Sequence, residues 1–210
     1  MSISNKVLQN KKSAGRPSNS SKGSARPLTD REVKQLMGVC FGKHGLRNRC
    51  IIALQIHCGM RINECIGLSK LQVLNPNNTI KDSILITGSN MKGKTTHRYF
   101  ISNAGKLILG EYLNSVNAEY KDEPLFPSPK TGLYMSANAG SQLVRNLMKK
   151  ADLDTSAHSC RASFARKLLD CGVGVETISL CLAHKNISTT ISYLGDLRPN
   201  ALNAVSNIKY

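Results

Sequence analysis

HSCRASFARKLLDCGVGVETISLCLAHKNISTTISY, residues 158–193, carries His158, Arg161, His184 and Tyr193 in a run patterned as consecutive short helices. His158 and Arg161 are three residues apart, so in a helix they share a face, while Phe164, Leu168 and Leu169 mark the side to be buried. Gly172 and Gly174 break that helix. Val175, Ile178 and Leu182 then outline a second, which stops at the loop bearing His184. Ser188 can cap a third, in which Ile187, Ile191 and Leu194 fall on one apolar stripe. Tyr193 projects to nearly the opposite side, so its phenol is expected to be presented rather than packed.

These residue types suit attack on a phosphodiester. Phenolate is a competent nucleophile, guanidinium forks match the non-bridging oxygens of a phosphate, and imidazoles hold or move protons. Further positive charge lies upstream in residues 57–68, HCGMRINECIGL. An apolar helix from Asn48 to Cys58, with Ile51, Ile52, Leu54 and Ile56, is expected to stop at Gly59. Ile62, Cys65 and Ile66 mark the buried stripe of the next turn, which leaves Arg61 and Glu64 on the opposite edge. There the carboxylate can orient the guanidinium; taken alone, such a pair is as readily an ordinary surface ion pair.

Gly59-Met60-Arg61-Ile62-Asn63-Glu64, His158-Ser159-Cys160-Arg161, Leu182-Ala183-His184 and Tyr193 resemble, in order, the G-x-R-x-x-E, H-x-x-R and L-G-H motifs and the tyrosine nine residues further on of the tyrosine recombinase, or phage integrase, family. Four anchors in order across most of the chain are far more specific than any one of them. The resemblance implies a mainly α fold with a small antiparallel β-sheet and a DNA strand-exchange activity. Tyr193 is then the nucleophile, Arg61 and Arg161 hold the non-bridging oxygens, His184 adds a hydrogen bond, and His158 accepts the phenol proton. Members also carry a catalytic lysine on a hairpin. Ser83–Thr87 and Arg98–Ile101 have the pattern of its strands, flanking a loop in which Lys94 matches the K-T-x-x-R spacing better than Lys92. No metal or other cofactor is implied. Ala162 stands where a second histidine is common and Ala183 where the glycine of L-G-H stands; both changes look tolerable.

The formal charge of +16 and pI near 9.8 point to a polyanionic partner, of which double-stranded DNA is the leading candidate. A membrane surface is disfavoured by the absence of a long apolar run or a basic amphipathic helix with an aromatic face. Residues 1–27 hold six basic and no acidic side chains and are expected to form a disordered arm. Within it Lys11, Lys12 and Arg16 are candidate DNA contacts, the last in a short Gly-Arg-Pro run resembling a minor-groove hook. A solvated arm touching phosphates without sequence preference is the simpler interpretation.

The remainder, residues 28–210, is expected to be one catalytic domain opening at a Thr29–Glu32 capping box, without a separate N-terminal clamp domain. Asn103 and Ser136 are expected to cap two structural helices. His97 and Tyr99 are set aside as an ordinary core or surface histidine and one of several other phenols. The seven cysteines contain no C-x-x-C pair and suit buried, reduced thiols in a cytoplasmic protein. Leu197, Ala201, Leu202, Val205 and Ile208 suggest a last helix for docking between subunits, in dimers or tetramers on DNA. An accessory DNA-bending or clamp protein would be a further partner. Two alternatives remain open beside strand exchange: a non-recombining DNA-binding regulator on the same fold, and a topoisomerase-like relaxer.

Overall fold

The computed structural model of the protein describes residues 25–87, 96–194 and 197–207. Lys11, Lys12, Arg16, Lys92, Lys94 and Ile208 lie outside the described residues. The elements run α1 (Asp30–Gly38), α2 (Gly45–Cys58), α3 (Ile62–Ile66), α4 (Lys70–Val73), β1 (Ser83–Thr87), β2 (Thr96–Phe100), α5 (Asn103–Ser115), α6 (Ala137–Lys150), α7 (Ala157–Asp170), α8 (Val175–Cys181), α9 (Ile187–Leu194) and α10 (Arg198–Ser206). A mainly α fold with one small antiparallel sheet is therefore what forms.

The centre is α2. Cys50, Ile51, Ile52, Ala53, Leu54, Gln55 and Cys58 are all buried, the pattern of a helix packed on every side. Ile51 and Leu54 join a core with Tyr99, Leu109 and Phe126, whereas Ile52 faces a second core with Leu36, Val144, Leu147 and Cys160. A third, smaller cluster of Ala165, Ile178, Leu182 and Leu194 lies under the C-terminal helices. Helix α7 packs against α2 on one side and against α8 and α9 on the other, so it joins the central core to the small one.

Local signals account for most boundaries. Thr29 and Glu32 close a capping box at the start of α1, and Ser136 caps α6 by accepting from the Ala139 amide at 3.2 Å. Helix α5 is capped by Ser102 rather than by Asn103, because the Ser102 hydroxyl reaches the Gly105 amide at 3.1 Å. Helix α2 begins at Gly45, a full turn before the expected Asn48, and stops at Gly59 with φ 69°. The Gly59 position admits no side chain: a Cβ there would lie 2.5 Å from the Phe164 ring. Strand β2 starts two residues earlier than its apolar run, and Ile84 pairs with Tyr99 and Ile86 with His97 across the antiparallel ladder.

One expectation is overturned in α9. Ile187 and Ile191 are exposed at 40% and 45%, and the buried side is formed by Thr190 and Leu194 with Tyr193 half-buried beside them. Helical periodicity identifies an apolar stripe but not whether a neighbour covers it. On the covered side Thr190 and Tyr193 touch His184. Helix α10 likewise leaves Leu202 and Val205 exposed at 71% and 66%.

Candidate active site

Two chain reversals and the start of α7 bring the family-motif residues together. The first is the left-handed turn at Gly59, after which Arg61 becomes the N-cap of α3. The Glu64 carboxylate accepts from the Arg61 backbone amide at 2.7 Å and from its Nη1 at 3.2 Å. One side chain thereby caps the helix and aims the guanidinium, which stays 44% exposed.

Arg161, on the inner face of α7, is only 2% exposed. Its Nη1 donates to the Gly59 carbonyl and, at 3.4 Å, to the Tyr99 phenol oxygen, while Nη2 donates to the Leu182 carbonyl. Of the five N–H donors of a guanidinium, three are thus committed to the protein. The buried Nε has no partner among the described residues. Burial, followed by the nearby charge of Arg61, pulls its pKa below the ordinary guanidinium value.

The second reversal ends α8. Ala183 adopts φ 50°, its amide bonds to the Leu180 carbonyl at 3.1 Å, and the His184 amide bonds to the Ser179 carbonyl at 3.1 Å. These two bonds make a Schellman motif, whose left-handed position ordinarily belongs to glycine. The glycine of L-G-H thereby acquires a physical reason, and the Ala183 methyl sits in a conformation that costs about 1–2 kcal/mol. This turn places the His184 ring 5.3 Å from that of Tyr193, nearly parallel at 23°. His184 Nδ1 is 2.9 Å from the Thr190 hydroxyl. Burial, with help from Arg161 and Arg61, lowers its pKa to about 4, so the ring is neutral at pH 7.

Helix α7 starts after the extended N-cap Ser156 and leaves His158 exposed on its first turn. Its Nδ1 lies 3.4 Å from the Tyr193 hydroxyl. Arg61, Glu64, Arg161, His158, His184 and Tyr193 therefore converge on one region. Chemically, the group offers two guanidinium forks and a neutral imidazole to an oxyanion, with a phenol beside a proton acceptor. Ala162 is fully buried.

Two residues set aside in the sequence belong to the site. His97 and Tyr99 alternate inward on β2, the strand that follows residues 88–95. Tyr99 is fully buried and donates to Glu64 Oε2 at 2.6 Å; burial, then Glu64, pushes its pKa well up. His97 meets the Tyr99 ring edge-on at 4.3 Å, and burial lowers its pKa. The H-x-Y alternation on a strand was the available signal, since residues two apart share a face. Helix α6, expected to be purely structural, also turns Gln142, Arg145, Asn146 and Lys149 to solvent and has no acidic residue.

A tyrosine recombinase XerA of Saccharolobus solfataricus is 28% identical over 186 residues, which cover 87% of this chain and 57% of that protein. Among solved structures, a XerA recombinase superposes with a TM-score of 0.69 at 20% identity, covering 88% of this chain and 66% of the other. The XerH site-specific recombinase bound to its difH substrate superposes with a TM-score of 0.65 at 21% identity, covering 89% and 55%. The chain thus spans roughly half to two thirds of the length of these relatives. With residues 26–198 matching the model of the Phage integrase family, and that family's motif residues gathered at one site, the chain belongs to the phage integrase family.

Proposed function

We propose that the protein cuts and rejoins DNA strands at specific sites through a 3′-phosphotyrosyl intermediate. The observation that carries this reading is the Tyr193 phenol, stacked on His184 and 3.4 Å from His158, in the region to which Arg61 and Arg161 belong. Tyr193 attacks the scissile phosphorus, the bond from phosphorus to the 5′ oxygen breaks, and the phenol proton passes to His158. Lys94 protonates the leaving 5′ oxygen. Attack by another 5′ hydroxyl reverses the step, and because a phosphodiester is exchanged for a phosphodiester the free-energy change is small.

Arg61 and the uncommitted Arg161 donors hold the non-bridging oxygens as negative charge grows in the transition state. For His184 to donate as well, its Nε2 must carry the proton. The Thr190 hydroxyl then donates to Nδ1 and fixes that tautomer. A depressed pKa suits this role, because a neutral imidazole keeps a defined donor without taking a proton from the phenol.

The basic balance of the chain and the acid-free α6 support double-stranded DNA as the partner. Gln142, Arg145, Asn146 and Lys149 are residue types that contact base edges and phosphates. The exposed apolar residues of α9 and α10 support self-assembly into dimers or tetramers on DNA. Lys92 and the arm residues Lys11, Lys12 and Arg16 add phosphate contacts, and an accessory protein can supply a clamp. The proposed setting is cytoplasmic DNA.

The test incubates wild type and Tyr193→Phe with nicked duplexes drawn from the DNA flanking the gene and looks for adducts that survive denaturing electrophoresis. An adduct with wild type alone is expected. Adducts with both proteins, or with neither although both bind the DNA, overturn the assignment.

A further inference from the structure

Arg61 and Arg161 stand on different helices, separated by a hundred residues of sequence, yet one hydroxyl lies between them. The Tyr99 phenol donates to Glu64 Oε2 at 2.6 Å and accepts from Arg161 Nη1 at 3.4 Å. The same Glu64 oxygen accepts from the Arg61 amide, and its other oxygen accepts from Arg61 Nη1. A continuous chain of polar contacts therefore runs from Arg61 through Glu64 and Tyr99 to Arg161. From Arg161 it continues to the Gly59 and Leu182 carbonyls, the second of these one residue before the Ala183–His184 turn.

Nothing else about Tyr99 calls for a hydroxyl. The residue is fully buried in an apolar cluster, where phenylalanine would pack equally well and would not need to satisfy an O–H. A buried hydroxyl that accepts from one charged group and donates to another is worth keeping only if the orientation of those groups matters. Its strand has a second relevant property. β2 follows residues 88–95 in the sequence, and on it His97 packs edge-on against the Tyr99 ring.

We propose that Tyr99 is a positioning residue for the cleavage step, setting Arg61, through Glu64, and Arg161 in fixed relation to each other and to the β1–β2 hairpin. It does not itself meet the phosphate. The proposal rests on the strand-cleavage reading above and deepens it.

Tyr99→Phe removes that hydroxyl and keeps the packing. In single-turnover cleavage of nicked DNA it is expected to slow adduct formation about tenfold, the scale of one hydrogen bond to a charged group. The dissociation constant for the same DNA should change by less than about twofold and the melting temperature by no more than about 2 °C, as expected of a shape-conserving change. Glu64→Gln should slow cleavage as well, and the double variant should be no slower than the slower single one, because both act along one chain of contacts. Wild-type cleavage by Tyr99→Phe, or losses that multiply in the double variant, would overturn the proposal.

Nitrogen-15 NMR of the arginine side chains gives a readout that does not depend on cleavage. Tyr99→Phe is expected to change the guanidinium signals of both Arg61 and Arg161 and to leave those of Arg145 unchanged. Failure of wild type to form any adduct sinks the strand-cleavage reading alone; an unmoved Arg61 signal sinks the positioning role alone.

Discussion

Two helices of the site end in the same way and are built differently. Helix α2 turns through Gly59 in the left-handed region and delivers Arg61; helix α8 turns through Ala183 in the same region and delivers His184. Around the first turn the parts interlock. The Gly59 carbonyl holds Arg161, Phe164 lies where a Gly59 side chain would be, and Glu64, Tyr99 and Arg61 close the polar chain. The second turn shares Arg161, whose Nη2 donates to the Leu182 carbonyl, and its His184 meets the Thr190 hydroxyl, but the nucleophile beyond it is held more lightly. Tyr193 makes a 3.4 Å approach to His158 and a ring stack on His184, on a helix whose Ile187 and Ile191 face solvent.

The difference follows from the two tasks. A pocket for a phosphate gains from rigid donors already in place, since reorganisation at the moment of reaction would raise the barrier. A nucleophile that must attack, remain covalently attached and later be displaced gains from a lighter hold. On this view the arginine side is set by the fold, and the tyrosine side is held by fewer contacts.

The comparison breaks most visibly at the two arginines. Arg61→Gln and Arg161→Gln should each slow cleavage by about two to three orders of magnitude, as for loss of one preorganised donor. Only Arg161→Gln should also unfold more readily, by about 3 kcal/mol, because it strips buried carbonyls of their donor. Thermal melts of both variants check this, and equal stability would mean that Arg161 is not the strut its burial suggests.

Gly59→Ala should destabilise the protein by about 3 kcal/mol in denaturant titration, combining left-handed strain with overpacking against Phe164. A loss below about 1 kcal/mol would show that the arginine side yields more easily than its contacts imply. The smallest effect is expected at the opposite turn. Ala183→Gly relieves a strained φ and should stabilise by about 1 kcal/mol, read as a rise in melting temperature, with cleavage within about threefold of wild type. A lower melting temperature would mean that the Ala183 methyl contributes packing that outweighs its strain.

Legibility in the sequence followed the range of the interaction. The Thr29–Glu32 capping box, the stop at Gly59, the Arg61–Glu64 pair and the short helices after Gly174 are specified by residues within a turn of one another, and all were readable. The α5 cap moved by one residue because serine and asparagine stand side by side and both can cap. Tyr99 escaped notice because its partners, Glu64 and Arg161, are 35 and 62 residues away.

By itself the sequence determined the helical class, the hairpin, the order of the motif residues and their chemical types, because capping, periodicity and spacing are local properties of the chain. Only the tertiary structure decided that Arg161 is buried while Arg61 is open, that Tyr99 lies between them, and that α9 buries Thr190 and Leu194 instead of its isoleucines. Each of those outcomes depends on which neighbour arrives to exclude water, and excluding water is a property of the packed whole.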